Sequence, residues 1–510
     1  MLLAACTTST SSNDLPTSTP GSTVAGTTVP SPSTRPNIIV VMTDDQTVAQ
    51  LSAMPKVKQL MTDKGISFSN FVVNTSECCP SRTTWLTGLQ SRHHGVLWNV
   101  PPTGGFASFK NQELTLPVAL QQVGYHTVMI GKYLNRYGER DPEDRYVPPG
   151  WSDFKGLIWP AESIYYGSSF YDNGHVLTLD PDEYVTSAIT RLTVAAIDQS
   201  VEAGDPFFMM IGHVAPHAPG GLTLEEASKG QVLKQILERY PDGFVPAVPE
   251  PKYEGAADGV PLPGGPSFNE ADISDKPKTT QRKPLDGQTI GKIEVLYRRA
   301  LETLMSVDDS VSTMIDELDR RGVLENTYIF FTSDNGAFYG EHRYPYGKYY
   351  MYRTSRTVPL IVTGPGVPAG VVQPSVVSNL DMAPTIAELT GATLPRVPDG
   401  VSLVDMLRDG SVRKGRAIYL EGHAPDEKLV LPFDGVYTGR LLYIEHTNGE
   451  AELYDVQKDP DELDNLLAGN PPVDDVEQAM ALLRVLRSCA GVTCQTIGSD
   501  LPVPSSGPEP

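Results

Sequence analysis

Asn37-Ile38-Ile39-Val40-Val41-Met42-Thr43-Asp44-Asp45 decides the fold: an apolar run, branched at Cβ over four successive positions, stops on two carboxylates. Because polar residues do not alternate within it, a strand made from it must be covered on both faces, as in a parallel sheet between helices. The same grammar recurs three times. Thr127-Val128-Met129-Ile130 runs into Gly131-Lys132, and Pro206-Phe207-Phe208-Met209-Met210-Ile211 runs into Gly212-His213 and then Ala215-Pro216-His217. Tyr328-Ile329-Phe330-Phe331-Thr332-Ser333 runs into Asp334-Asn335-Gly336, and Val358-Pro359-Leu360-Ile361-Val362 fits a fifth strand. Between them Ile293, Tyr297, Ala300, Leu304, Val307, Val311, Met314 and Leu318 recur at spacings of three and four, a helix that ends at Arg321-Gly322. Strand, helix and strand in succession predict an α/β doubly wound sheet.

In such sheets ligands bind beyond the carboxyl ends of the strands. The polar endings are therefore expected to converge on one rim, bringing Asp44, Asp45, Asp334 and Asn335 together with Lys132 and His217. A strand-terminal Asp is as often a helix cap as a ligand, so the joint pattern carries more weight than any one residue. After about Asp381 the character changes. Met382–Leu389 and Glu477–Leu486 read as helices, while 417–420, 435–437, 441–444 and 452–454 read as short strands. That pattern predicts a smaller α+β part with an antiparallel sheet. The chain is thus divided into 1–35, a catalytic α/β domain over 36–385, and a C-terminal part over 386–510. From 218 to 288 it is rich in Pro, Gly and charge, with an apolar period only over Val232–Tyr240, and reads as a surface excursion.

The 510 residues carry 40 basic and 62 acidic side chains, a formal charge of −22. This argues against nucleic-acid partners, and an anionic substrate must be drawn in by local cations. No run approaches the roughly 20 apolar residues of a membrane span. Met1-Leu2-Leu3-Ala4-Ala5-Cys6 looks like the end of a bacterial lipoprotein signal with Cys6 as the lipidated residue, although the basic and apolar segments of a full signal are missing. From Thr7 to Arg35, 20 of 29 residues are Ser, Thr or Pro, the composition of a disordered spacer. The expected location is extracytoplasmic, as a lipoprotein or secreted protein. Cys489 and Cys494 could close a small disulfide loop there or remain two thiols.

Asn74-Thr75-Ser76-Glu77 leads into Cys78-Cys79-Pro80-Ser81-Arg82-Thr83-Thr84-Trp85-Leu86-Thr87-Gly88. Pro80 suits the first position of a helix, which puts Cys78 just before it, where the helix dipole favours anionic groups. From the residues alone this is a nucleophile with Arg82 one turn along, or a buried cysteine pair.

Here the chain resembles the sulfatase family of the alkaline-phosphatase-like superfamily, whose signature Cys-x-Pro-x-Arg and following Thr-Gly stand as Cys78–Arg82 and Thr87-Gly88. The resemblance runs from Pro36 to Cys494 and is closest to the N-acetylglucosamine-6-sulfatase and extracellular heparan sulfatase branch. Gly131-Lys132-Tyr133-Leu134-Asn135, Pro149-Gly150-Trp151, Glu452-Leu453-Tyr454-Asp455 and the Cys489…Cys494 loop all look like that branch. It implies an alkaline-phosphatase-like mixed sheet and oxidation of Cys78 to formylglycine by a formylglycine-generating enzyme. It also implies a divalent cation, Ca²⁺ or else Mg²⁺, held by Asp44, Asp45, Asp334, Asn335 and an oxygen of modified Cys78. An oxygen-only set suits a hard cation. Arg82 and Lys132 match positions that hold the nucleophile and the sulfate oxygens, while His217 and Lys348 match positions near the leaving oxygen.

The implied reaction is hydrolysis of a sulfate monoester, a 6-sulfated amino sugar or an aryl sulfate. One hydroxyl of the hydrated aldehyde attacks sulfur in line, His217 or Lys348 protonates the departing alcohol, and the second hydroxyl then expels sulfate. Two other functions fit the same residues: a phosphomonoester or phosphonate hydrolase, and a noncatalytic glycan-binding protein if Cys78 stays a thiol. Three departures stand out. Leu134 replaces a frequent His, Tyr352-Arg353 replaces Tyr-Glu, and His342 in Gly340-Glu341-His342-Arg343 reads as a solvated loop residue rather than a substrate contact. Substrate-selecting residues are expected in Trp151–Asp180 and in 218–288.

Overall fold

A computed structural model describes residues 35–160, 164–219, 245–425 and 431–502. Cys6, the spacer up to residue 34 and the Val232–Tyr240 segment lie outside the described residues. The strands are β1 (Asn37–Thr43), β2 (Ile66–Phe68), β3 (Phe71–Val72), β4 (His126–Gly131), β5 (Asp153–Leu157), β6 (Ser169–Asp172), β7 (His175–Thr178) and β8 (Phe207–Gly212). They continue with β9 (Thr327–Ser333), β10 (Leu360–Thr363), β11 (Val371–Gln373), β12 (Val377–Ser378), β13 (Ile418–Gly422), β14 (Phe433–Tyr437), β15 (Leu441–His446) and β16 (Ala451–Asp455).

Ten of them form one mixed sheet in the order β11-β2-β10-β9-β1-β8-β4-β5-β6-β7. The centre is parallel: β9, β1, β8, β4 and β5 all run one way, whereas β10 pairs antiparallel with β9 and β6 antiparallel with β5. β1 is buried along its whole length, and its side chains divide between two cores. Ile38, Val40 and Met42 pack with Trp85, Leu86, Leu116 and Ile386 on one face, while Ile39 and Val41 pack with Ile189, Ile197, Leu304 and Val311 on the other. Helices Cys78–Thr87, Leu116–Gln122 and Met382–Thr390 therefore cover one face, and helices Val185–Ala203 and Gly287–Arg320 cover the other. Among the described residues no helix is long and apolar enough to cross a membrane.

Strands β13 to β16 form a separate antiparallel sheet. Its buried side chains Val436, Tyr443 and Leu453 pack against Leu483 and Leu486 of the helix Val473–Ser488. Cys489 and Cys494 are joined in a disulfide just after that helix. Asp399 ties this corner to the segment that follows the helix Cys78–Thr87, accepting from Gln90 N at 2.9 Å and Gly491 N at 2.7 Å and pairing with His93 Nδ1 at 2.6 Å.

Candidate active site

Register places the rim residues. Thr43 of β1 lies opposite Ser333 of β9, so the chains leave the sheet side by side at Asp44 and Asp334, with Asp334 N donating to Thr43 O at 3.2 Å. Asp45 then adopts φ 71°, a left-handed conformation uncommon outside glycine, and its N–H donates to Asp334 Oδ1 at 3.2 Å. Gly212 of β8 lies between Met42 of β1 and Gly131 of β4. The approach there is so close that a Cβ on Gly131 would come 2.0 Å from Gly212 O, and one on Gly212 would come 2.2 Å from Lys132 O. Only glycine fits, and Lys132 is thereby delivered to the rim with its N–H on Gly212 O at 2.8 Å.

The helix Cys78–Thr87 points its N-terminus at this rim. Cys78 Sγ lies 3.2 Å from Asp44 Oδ1, 3.7 Å from Lys132 Nζ and 2.9 Å from Lys348 Nζ. One ligand atom each from Asp44, Asp45, Cys78 and Asp334 lies within 4.8 Å of the others, and all four residues are buried. Lys132 donates to Asp44 Oδ2, and Lys348 donates to Asp45 Oδ1. One turn along the helix, Arg82 donates from Nε to Asp334 Oδ2 at 2.7 Å and from Nη1 to Lys132 O at 2.8 Å, leaving Nη2 without a partner among the described residues. His217 Nε2 stands 3.9 Å from Asp45 Oδ2, and its Nδ1 has no partner among the described residues. Asn335 donates to Asp45 Oδ1 at 2.5 Å, while its own buried Oδ1 receives no hydrogen bond from the described residues.

The electrostatics follow from burial and mutual charge. Burial would raise Asp44, but Lys132 and then His217 outweigh it and hold the carboxyl at about 2. Burial would lower Lys132, Lys348 and Arg82, yet the facing carboxylates of Asp44, Asp45 and Asp334 respectively keep all three firmly protonated. Burial also lowers His217 and raises the Cys78 thiol well above its ordinary value. Three buried carboxylates and a carbonyl-type oxygen lacking any donor, Asn335 Oδ1, are the donor chemistry of a hard divalent cation. The residues present fit such an ion.

The sequence-predicted residues Asp44, Asp45, Cys78, Arg82, Lys132, His217, Asp334, Asn335 and Lys348 thus meet in one place. His342 is otherwise. It is buried, bonded through Nδ1 to Glu270 at 2.6 Å and packed with ring centroids 4.2 Å from Tyr352, so the expectation of a solvated loop histidine is wrong. Gly340, two residues earlier, sits on the Phe268 ring, where a Cβ would come 2.3 Å from a ring carbon. Arg353 borders a cavity of about 230 Å³ that includes none of the clustered residues. Sequence reasoning passed over Glu77 and Asn99, which back the cluster. Glu77 Oε2 accepts from Asn99 Nδ2, Asn99 Oδ1 accepts from Cys79 N at 2.8 Å, and burial pushes the Glu77 carboxyl well up. The one sequence signal was an acidic residue directly before the cysteine pair.

Comparison with known proteins follows the same lines. A family model described as Sulfatase matches residues 36–392, and one described as N-sulphoglucosamine sulphohydrolase, C-terminal, matches residues 340–487. The chain is 32% identical over 503 residues to an arylsulfatase of Volvox carteri, covering 90% of this chain and 76% of that one. It is 30% identical over 509 residues to the N-acetylglucosamine-6-sulfatase of Homo sapiens, covering 91% and 86%. A solved structure of a protein in complex with its substrate D-glucosamine-2-N,6-O-disulfate has a TM-score of 0.67 and 25% identity, covering 88% of this chain and 97% of that one.

Proposed function

The chain belongs to the sulfatase family, hydrolysing sulfate esters, and on that premise we propose that its substrate is an amino sugar sulfated at the 6-oxygen. The similarity to the human N-acetylglucosamine-6-sulfatase over 91% of the chain and to the structure with a sulfated glucosamine supports this class. Cys78 is read as the precursor of formylglycine, its sulfur marking where the oxygens of the modified residue would lie. Asp44, Asp45, Asp334 and Asn335 would hold a Ca²⁺ ion beside it. The observation that carries this reading is the meeting of Asp44, Asp45, Cys78 and Asp334 within 4.8 Å.

When present, the hydrated aldehyde supplies an oxygen nucleophile and the cation supplies positive charge for the sulfuryl oxygens. The remaining work falls to the chain's own side chains. Arg82 is locked by Asp334 and the Lys132 carbonyl, so its unpartnered Nη2 is presented in a fixed direction for a sulfate oxygen. Lys132 and Lys348 approach the Cys78 sulfur and place two firmly held protons beside the position where negative charge develops. His217, lowered by burial, and Lys348 are the candidates to protonate the departing sugar oxygen. The disulfide and the relation to extracellular sulfatases favour a location outside the cytoplasm, where Cys6 would be the lipid anchor.

Mass spectrometry of the peptide containing Cys78 from the native host tests the nucleophile. The expected result is a loss of about 18 Da relative to the thiol, and thiol alone would favour a noncatalytic glycan-binding protein. Comparison of kcat/KM for nitrocatechol sulfate and nitrophenyl phosphate tests the reaction. A phosphate preference of about a thousand-fold would overturn it in favour of a phosphoester or phosphonate hydrolase.

A further inference from the structure

Most of the reactive cluster is buried, and five residues beside it are half-buried. They are His217, Tyr346, Gly347, Tyr349 and Asn99. Tyr349 differs from the rest. It follows Lys348, whose ammonium lies 2.9 Å from Cys78 Sγ, and it is half-buried between two buried neighbours, Lys348 and Tyr350. Its φ is 87°, a conformation that an aromatic residue adopts only under constraint and that concentrates at functional sites. The constraint is visible. One face of the ring is stacked on Trp98, with centroids 5.1 Å apart and planes 20° from parallel. Trp98 is in turn fixed by a closed loop, with Gly105 N donating to Trp98 O at 3.0 Å. At Gly104 a Cβ would come 1.7 Å from that same oxygen, so the loop admits no side chain there. The phenol is raised first by the charge of Glu77 and then by burial.

We propose that Tyr349, backed by Trp98, is a specificity-determining residue whose ring forms the wall against which the sulfate-bearing sugar rests. This deepens the amino-sugar reading and depends on it. The ring holds the leaving group, while Arg82, Lys132 and Lys348 hold the sulfate, so the two halves of the substrate are gripped by separable groups. Loss of the ring weakens the grip on the sugar and leaves the grip on sulfate.

The test uses the mature, cation-loaded enzyme and its Tyr349→Ala and Tyr349→Phe variants with glucosamine-6-sulfate, N-acetylglucosamine-6-sulfate and nitrocatechol sulfate. Free glucosamine and inorganic sulfate serve as inhibitors. For Tyr349→Ala the expected result is a KM for the sugar sulfates raised by about ten-fold or more, with the inhibition constant of glucosamine rising in parallel and that of sulfate within about two-fold. Tyr349→Phe, which keeps the stacked ring, is expected to restore KM to within about three-fold of the parent. Equal weakening of glucosamine and sulfate in Tyr349→Ala, or an unchanged sugar KM, would overturn the inference while leaving the amino-sugar reading intact. A parent enzyme that turns over the aryl sulfate and neither sugar sulfate would overturn both.

Discussion

His217 and Lys348 occupy different chemical situations, although both are proposed to border the leaving oxygen. Burial lowers His217, which makes it the stronger acid of the two, whereas Asp45 outweighs burial and leaves Lys348 firmly charged. Replacing the group that serves as the acid should cost sugar sulfates about 10²- to 10⁴-fold in kcat. Nitrocatechol sulfate, whose leaving group departs without a proton, should suffer far less. We expect His217→Ala to show this split and Lys348→Ala to depress both substrates alike, as rates across leaving groups of graded acidity would reveal. At this scale much was legible from the chain. Asp44, Asp45, Asp334 and Asn335 were readable because each ends a buried strand, and Cys78 and Arg82 because their spacing is a signature. Tyr349 was not, since its role rests on a backbone angle and a stacking partner some 250 positions away in sequence, Trp98. His342 misled because its burial depends on Glu270 and Tyr352, which nothing local announces.

At the scale of elements, buried runs without alternation identified β1, β4, β8 and β9, and the three-four period identified the helix Gly287–Arg320, because each carries its own environment in its pattern. The edge strands β7 and β11 and the short β2 and β6 were missed, the first two being little buried and the others only three or four residues long. Asp399 shows how separate elements are fastened. Burial would raise its carboxyl, but His93 and the N–H groups of Gln90 and Gly491 outweigh it and hold it below the ordinary 3.8. A depressed carboxyl stabilises the fold at pH above 3.8 and loses that contribution as pH falls through 3.8 towards its folded-state value. Asp399→Asn is therefore expected to lower stability at neutral pH by about 1–3 kcal/mol. It should also flatten the decline as pH falls through 3.8, as urea denaturation at several pH values would show.

For the whole molecule, the proposed cation joins segments that are distant in sequence: the end of β1, the start of the helix Cys78–Thr87 and the end of β9. An ion that binds only the folded chain adds about 2.7 kcal/mol at a hundred times its dissociation constant. Chelation should therefore abolish turnover and lower the melting temperature together, and Ca²⁺ should reverse both where thiophilic ions do not. An unchanged melting curve after complete chelation would contradict this.

Asp44, Asp45 and Asp334 face Arg82, Lys132 and Lys348, so fixed negative and positive charges cancel within a sealed centre, inside a protein whose formal charge is −22. A divalent ion added to that neutral core turns it into an anion trap in an acidic shell. Inorganic sulfate carries one more negative charge than the ester it was cut from and should be held the more tightly of the two. The reaction would then be throttled by its own product, and progress curves should bend early when sulfate, but not an equal ionic strength of chloride, is present at the start.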